Sequence, residues 1–209
     1  MPNTQPHQEI EIKIQITPEQ MSILDKWLSS NSEYKGEIHH IEYYLDNPEN
    51  TFLFEADGMK DTRILDAKDW LRVRMTENGD SICLKRFHPD PENPGKHTHC
   101  DEYETKVESG KMTLELLKNL GFTNETILDK TRKTYDAKEF EIVVDDVKGL
   151  GIFVEIELKK DVDDVKKGHE EINNLLKQIG IIEFKKQFRG YVSMLWNPQI
   201  NFGEETKLS

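Results

Sequence analysis

Three stretches of the chain, EIEIK from Glu9 to Lys13, EYETK from Glu102 to Lys106 and EIELK from Glu155 to Lys159, repeat one pattern of glutamate, any residue, glutamate, any residue, lysine. Side chains of an extended strand alternate between its two faces, so each stretch sets two carboxylates and one ammonium on the same side. The residues between them in the first stretch are apolar and continue as Ile10, Ile12, Ile14 and Ile16, a strict period of two that reads as a half-buried strand. The same division recurs in WLRVRM, where Arg72 and Arg74 oppose Leu71, Val73 and Met75, and in SICLKR, where Lys85 opposes Ile82 and Leu84. The turn ENGD between these two makes them a hairpin. HIEYYLD, KTRKTYD, EFEIVVDDV and GIFVEIEL add further strands.

Helices fall between the strands. Thr17-Pro18-Glu19-Gln20 offers an N-cap, a proline in the first turn and a capping-box glutamine ahead of Met21, Leu24 and Leu28. A second helix starts near Ser109, carries Leu116, Leu117 and Leu120 and is closed by Gly121, and a third, with Ile172, Leu175, Leu176 and Ile179, ends at Gly180. A short amphipathic segment covers Phe188 to Trp196. Asn47 to Asp69 and Pro89 to Cys100 read as long loops, lids or plain insertions. Residues 1–196 form one domain in this reading, and 197–209 are a polar tail that frays.

Seven or eight strands with one charged face need somewhere to put it. One solvated face of an antiparallel sheet gives the same alternation without any function. An open sheet of this size curls, however, and helices covering its apolar side leave the charges in the middle. The expected fold is therefore α+β, a closed eight-stranded antiparallel β-barrel with helices packed outside and a charged lumen. Uncompensated buried charge is costly, so such a lumen calls for a ligand satisfying both signs. Carboxylate oxygens are hard ligands suited to Mg2+ or Mn2+, and guanidinium and ammonium groups suit phosphate oxygens. Together they imply a metal-bound polyphosphate.

Composition narrows the alternatives. The 209 residues carry 40 acidic against 28 basic side chains, a net charge of −12, which disfavours a nucleic-acid backbone as partner. Cys83 and Cys100 are too few for a disulfide framework, and no apolar run reaches membrane-spanning length, so the reading is a cytoplasmic protein with no membrane partner. His97, His99 and Cys100 in HTHC, with His39 and His40, match no usual zinc spacing and fit a polar loop better. Trp27, Trp70 and Trp196 sit among apolar neighbours and read as packing residues. Cys83, on the charged face, has no adjacent base to activate it.

In order, Glu9, Glu11 and Lys13; LRVR from Leu71 to Arg74; Lys85; Glu102 and Glu104; Arg132 in KTRKTY; and VVDDVKGLGIFVEIE with Asp145, Gly149, Gly151, Phe153, Glu155 and Glu157 resemble the CYTH superfamily of triphosphate tunnel metalloenzymes. The resemblance spans Glu9 to about Leu195 and is nearest the branch named after class IV adenylyl cyclases. It implies that Glu9, Glu11, Glu155 and Glu157 hold Mg2+ or Mn2+, with Glu102 and Glu104 as further carboxylates and Asp145 as another candidate. It also implies that Lys13, Arg72, Arg74, Lys85 and Arg132 grip the phosphates, joined by a C-terminal cation among Lys185, Lys186 and Arg189. The activity implied is conversion of ATP to cyclic AMP and pyrophosphate. Hydrolysis of tripolyphosphate, thiamine triphosphate or a nucleoside triphosphate is the alternative, since the histidine-phenylalanine pair that precedes the first motif in these cyclases is missing and DAKDWLR is similar to thiamine triphosphatases. A non-catalytic polyphosphate- or nucleotide-binding module is the third reading, against which the surplus carboxylates count. Dimers occur among members of the superfamily, leaving a homodimer open.

Overall fold

Strict alternation along Ile10–Gln15 produces the first strand of the computed structural model, which describes residues 10–57, 63–89, 97–160 and 165–208. In chain order the elements are β1 (Ile10–Gln15), α1 (Pro18–Asn31), β2 (Glu33–Asp46), β3 (Leu53–Asp57), β4 (Arg63–Ala67), β5 (Asp69–Thr76), β6 (Asp80–Pro89) and β7 (His97–Val107). They continue with α2 (Gly110–Asn119), β8 (Thr123–Ala137), β9 (Phe140–Val147), β10 (Gly151–Leu158), α3 (Val165–Ile179), β11 (Glu183–Gln187), α4 (Tyr191–Trp196) and β12 (Gly203–Lys207). No helix among the described residues is long and apolar enough to cross a membrane.

The expected caps form. Thr17 accepts from the Gln20 backbone N–H while the Gln20 side chain accepts from the Thr17 N–H at 2.9 Å, so two of the donors left open at the start of α1 are satisfied. Ser109 caps α2 by accepting from the Met112 N–H. The turn from β9 to β10 depends on Gly149 and Gly151, whose φ of +83° and +104° lies in the region L side chains rarely adopt.

Ten strands pair antiparallel in the order β12-β11-β1-β10-β9-β8-β2-β5-β6-β7, and β3 and β4 form a separate hairpin. The closed eight-stranded barrel expected from the sequence is not what forms: β12 and β7 are edges, and no pairing joins them among the described residues. One reason is α4. The expectation put every helix outside, but α4 packs on the charged side of the sheet, where Tyr191, Val192 and Met194 meet Tyr44, Leu128, Val147 and Phe153 in an apolar cluster with Phe202. That end of the inner face is sealed by side-chain packing rather than by strand closure. The second reason is β12. The tail expected to fray instead continues the sheet at the open edge of β11, held by buried Phe202 and the pairing of Glu183 to Gln187 with Lys207 to Gly203. The two expected long loops are also shorter than anticipated, because Asn47 to Asp69 contains the β3–β4 hairpin and β6 and β7 extend into Pro89 to Cys100, with residues 90–96 outside the described set.

The other face carries the main core. Ile10, Ile12 and Ile14 of β1, Ile142 and Val144 of β9, and Val154, Ile156 and Leu158 of β10 pack against Leu24 and Leu28 of α1 and Ile172, Leu175 and Leu176 of α3. Leu71 and Val73 of β5 and Leu45 of β2 meet Leu114 of α2 in a smaller cluster. Trp27 packs at the edge of the main core, and Trp70 and Trp196 make an edge-on ring contact at 6.4 Å within the inner apolar cluster. All three serve packing, as their neighbours in the sequence suggested.

Candidate active site

Period-two alternation fixes which side chains share the inner face with α4, and cross-strand register fixes which of them meet. Lys13 of β1 lies opposite Glu155 of β10, and their side chains pair at 2.9 Å. Arg132 of β8 lies opposite Asp145 of β9 and grips it with two parallel bonds, Nε to Oδ1 at 2.7 Å and Nη2 to Oδ2 at 2.6 Å, while Nη2 also reaches Glu155 at 2.8 Å. Asp145, fully buried, accepts in addition from Lys130 Nζ at 3.1 Å and from the Tyr191 hydroxyl at 2.9 Å. The Tyr191 ring lies beneath the Lys13 ammonium, 4.6 Å from centroid to nitrogen, within cation–π range.

A second group continues across β2, β5, β6 and β7. Glu42, 1% exposed, accepts from Arg74 Nε at 2.8 Å and from the Tyr44 hydroxyl at 2.9 Å, with Arg72 Nη1 at 3.6 Å. Arg72 also approaches Glu104 at 3.9 Å, and Glu104 accepts from Ser81 at 2.7 Å. Lys85 pairs with Glu102 at 3.0 Å, and the Cys83 thiol donates to the same carboxylate at 3.3 Å. Because β8 is bonded to β2, the two groups form one charged surface across eight strands.

Burial and charge compete in setting the proton affinities. Burial would raise the carboxyls of Glu42, Asp145 and Glu155, yet each is held below the ordinary range. For Glu42 the contact with His40 and the charges of Arg72, Arg74 and Lys130 outweigh burial. For Asp145 the Arg132 hydrogen bonds and the Lys130 charge do so, and for Glu155 the charges of Lys13 and Arg132. Lys130 is pushed below its usual value, first by burial and then by Arg132. Burial, with the hydrogen bond to Glu102, pushes the Cys83 thiol up to about 11, which leaves it protonated at neutral pH and unsuited to nucleophilic attack.

The sequence-derived residues divide as follows. Glu9 lies outside the described residues. Lys13, Arg72, Arg74, Lys85, Glu102, Glu104, Arg132, Asp145 and Glu155 meet on the inner face, and Glu11 stands opposite Glu157 there by register. Lys185, opposite Gln15, shares that side. Lys186 does not: it lies opposite Ile14, toward α3, with its ammonium over the Phe188 ring at 5.6 Å. Arg189 reaches Asp66 of β4 at 3.2 Å. Glu42, Tyr44, Lys130 and Tyr191 were missed as site residues. Lys130 was findable, since it stands two residues before Arg132 on the same strand face, and Glu42 and Tyr44 likewise share the face by alternation. Tyr191 carries no such signal, because its place depends on α4 folding inward.

The donor set accommodates a hard divalent cation. Glu11 and Glu157 are direct cross-strand partners, and Glu157 is in turn paired with Glu141 of β9. Carboxylates gathered on one face supply the oxygen ligands that a hard divalent cation takes. Elsewhere on the face, one ligand atom each from Cys83, Glu102 and Glu104 lies within 4.8 Å of the others.

Known proteins resemble this chain in sequence or in fold. The protein named "Putative adenylate cyclase MJ0240" of Methanocaldococcus jannaschii is 34% identical over 82 residues, covering 39% of this chain and 47% of that relative, so the match spans about half the relative's length. The structure of PH1819 from Pyrococcus horikoshii has a TM-score of 0.58 at 24% identity, over 91% of this chain and 99% of that one. HpAC1 from Hippeastrum, described as a putative adenylyl cyclase with a dominant triphosphatase activity, has a TM-score of 0.63 at 15% identity, over 93% and 98% of the two chains. Both structural likenesses speak for the fold. The sequence model of the CYTH domain matches residues 7–191, and with that extent of match the chain belongs to the CYTH domain family.

Proposed function

We propose that this chain is a divalent-metal-dependent enzyme that cleaves a phosphoanhydride bond of a bound triphosphate, acting as a class IV adenylyl cyclase-like enzyme on ATP to give cyclic AMP and pyrophosphate. The observation that carries the reading is the gathering of Lys13, Arg72, Arg74, Lys85, Lys130 and Arg132 with Glu42, Glu102, Glu104, Asp145 and Glu155 on one inner face. In this reading Arg132 and Arg74 are aligned by bonds to Asp145 and Glu42 and present their remaining donors to phosphate oxygens. Arg72 Nε, buried and without a hydrogen-bond partner among the described residues, is a donor that a ligand oxygen would satisfy. Glu9, Glu11, Glu155 and Glu157 would hold the metal, which would supply neutralisation of phosphate charge and favour in-line attack. Lys13 and Lys85 neutralise charge that develops on the departing pyrophosphate, and Asp145 keeps Lys130 and Arg132 in position.

Hydrolysis is the second reading, favoured by the missing histidine-phenylalanine pair ahead of Glu9 and by the triphosphatase activity described for HpAC1. Incubation of the purified protein with ATP, thiamine triphosphate and tripolyphosphate, in Mg2+ and in Mn2+ separately, distinguishes the two by product. A cyclase releases pyrophosphate with cyclic AMP, and a hydrolase releases orthophosphate. Glu155→Gln should lower turnover by about a hundredfold or more, the scale on which a single electrostatic group acts. Full activity in that variant would remove the assignment, and no product from any substrate would leave a binding module.

A further inference from the structure

Beside the charged face lies a cavity of about 340 Å3, bounded by the middle of β2, the ends of β5 and β7 and the start of β6. Its volume falls in the range of small-molecule sites. The charges on its wall are of both signs, Arg74 and Lys106 with Glu104, while Asp80 lends its carboxylate to the Gly110 N–H of α2, and Ile38 adds an apolar surface. With Arg74 already held by Glu42, the wall offers fewer cations than the run along Lys13, Lys130 and Arg132. It suits a neutral group bearing hydrogen-bond donors and acceptors.

His40 points to the same conclusion. It lines this cavity, is only 9% exposed, and among the described residues neither Nδ1 nor Nε2 has a partner at hydrogen-bond distance; its contact with Glu42 is a charge approach, Nδ1 to Oε1 at 3.7 Å. A buried imidazole left unsatisfied is unfavourable, and a ligand that hydrogen-bonds to it recovers that loss on binding. Arg74 joins the two regions, since it bonds Glu42 and also lines the cavity.

We propose that this cavity receives the nucleoside part of a nucleoside triphosphate and that His40 is the residue that distinguishes such a ligand from bare tripolyphosphate. The inference rests on the triphosphate reading of the adjoining face, but its test does not depend on turnover. ATP and tripolyphosphate are titrated calorimetrically into the intact protein with a metal chelator present, so that neither is consumed. His40→Phe should weaken ATP binding at least tenfold while changing tripolyphosphate binding less than threefold, and His40→Gln, which keeps a donor and an acceptor, should recover most of the loss. Ile38→Trp, which fills the cavity without altering His40, should reproduce the selective loss and serves where His40→Phe fails to fold. If the variants weaken both ligands equally, or neither, the assignment of His40 and its cavity is overturned. Absence of turnover in the metal-loaded protein, with selective binding intact, would instead overturn the catalytic reading alone.

Discussion

Replacing Glu42 with glutamine keeps the shape of the side chain and removes its charge at a position 1% exposed. In the protein this carboxylate balances Arg72 at 3.6 Å and Arg74 at 2.8 Å, and it accepts from the Tyr44 hydroxyl. Breaking a buried ion pair by removing one partner costs about 3–5 kcal/mol, because the other charge stays buried. The glutamine carbonyl can still accept from one donor, recovering about 1 kcal/mol, and Arg72 keeps its 3.9 Å approach to Glu104. The net expectation is a loss of about 2–4 kcal/mol at pH 7, read as a lower urea midpoint at unchanged slope. The pH dependence has a defined sign. Because the native carboxyl is held below its ordinary value, its contribution is complete above the unfolded pKa of about 4.3 and is lost as pH falls through the native value. The stability gap between the parent and Glu42→Gln should therefore be constant from pH 6 to 8 and narrow progressively below about pH 4.3. A loss under about 1 kcal/mol at pH 7, or a gap that does not narrow in acid, would refute the role of Glu42 as the buried counter-charge.

Two further outcomes test other parts of the structure. In a Cys100→Ser background, Cys83 should react with iodoacetamide at pH 8 at least tenfold more slowly in the native than in the urea-unfolded chain, since its thiol is 1% exposed and its pKa is raised to about 11; equal rates would contradict both. Leu176→Ala, at a fully buried position between α3 and the sheet, should cost about 2–5 kcal/mol of unfolding free energy, whereas a loss within error would mean that α3 does not pack as described.

What could be read from the sequence was whatever depends on local period. Ile10 to Ile16 alternate in the sequence and in the fold alike, and Thr17 with Gln20 closes the cap that their spacing announced. The same rule places Arg72, Arg74, Lys85, Arg132 and Glu155 on one face, because the face of a strand residue is set by its parity. What depends on long-range competition was not legible. Whether a curled sheet closes depends on what occupies its inner face, and nothing within six residues announces that Tyr191–Trp196 turns inward rather than outward. The polar composition of Gly203–Lys207 likewise says nothing of the unpaired edge of β11 that recruits it. Lys185 and Lys186 are neighbours of identical charge, and only the pairing of β11 with β1 decides which one faces the site.

The cations of this face already hold carboxylates: Arg132 with Asp145, Lys13 with Glu155, Lys85 with Glu102. A polyanion bound here as proposed would therefore meet no bare positive field; it would have to exchange with resident counter-ions, as on a mixed-bed resin. Under the proposed function Glu155 would be shared between the cations Lys13 and Arg132 and a divalent ion, so that phosphate binding to those cations would free the carboxylate for the metal. Linkage would then make the cooperation reciprocal, each ligand tightening the other by the same factor.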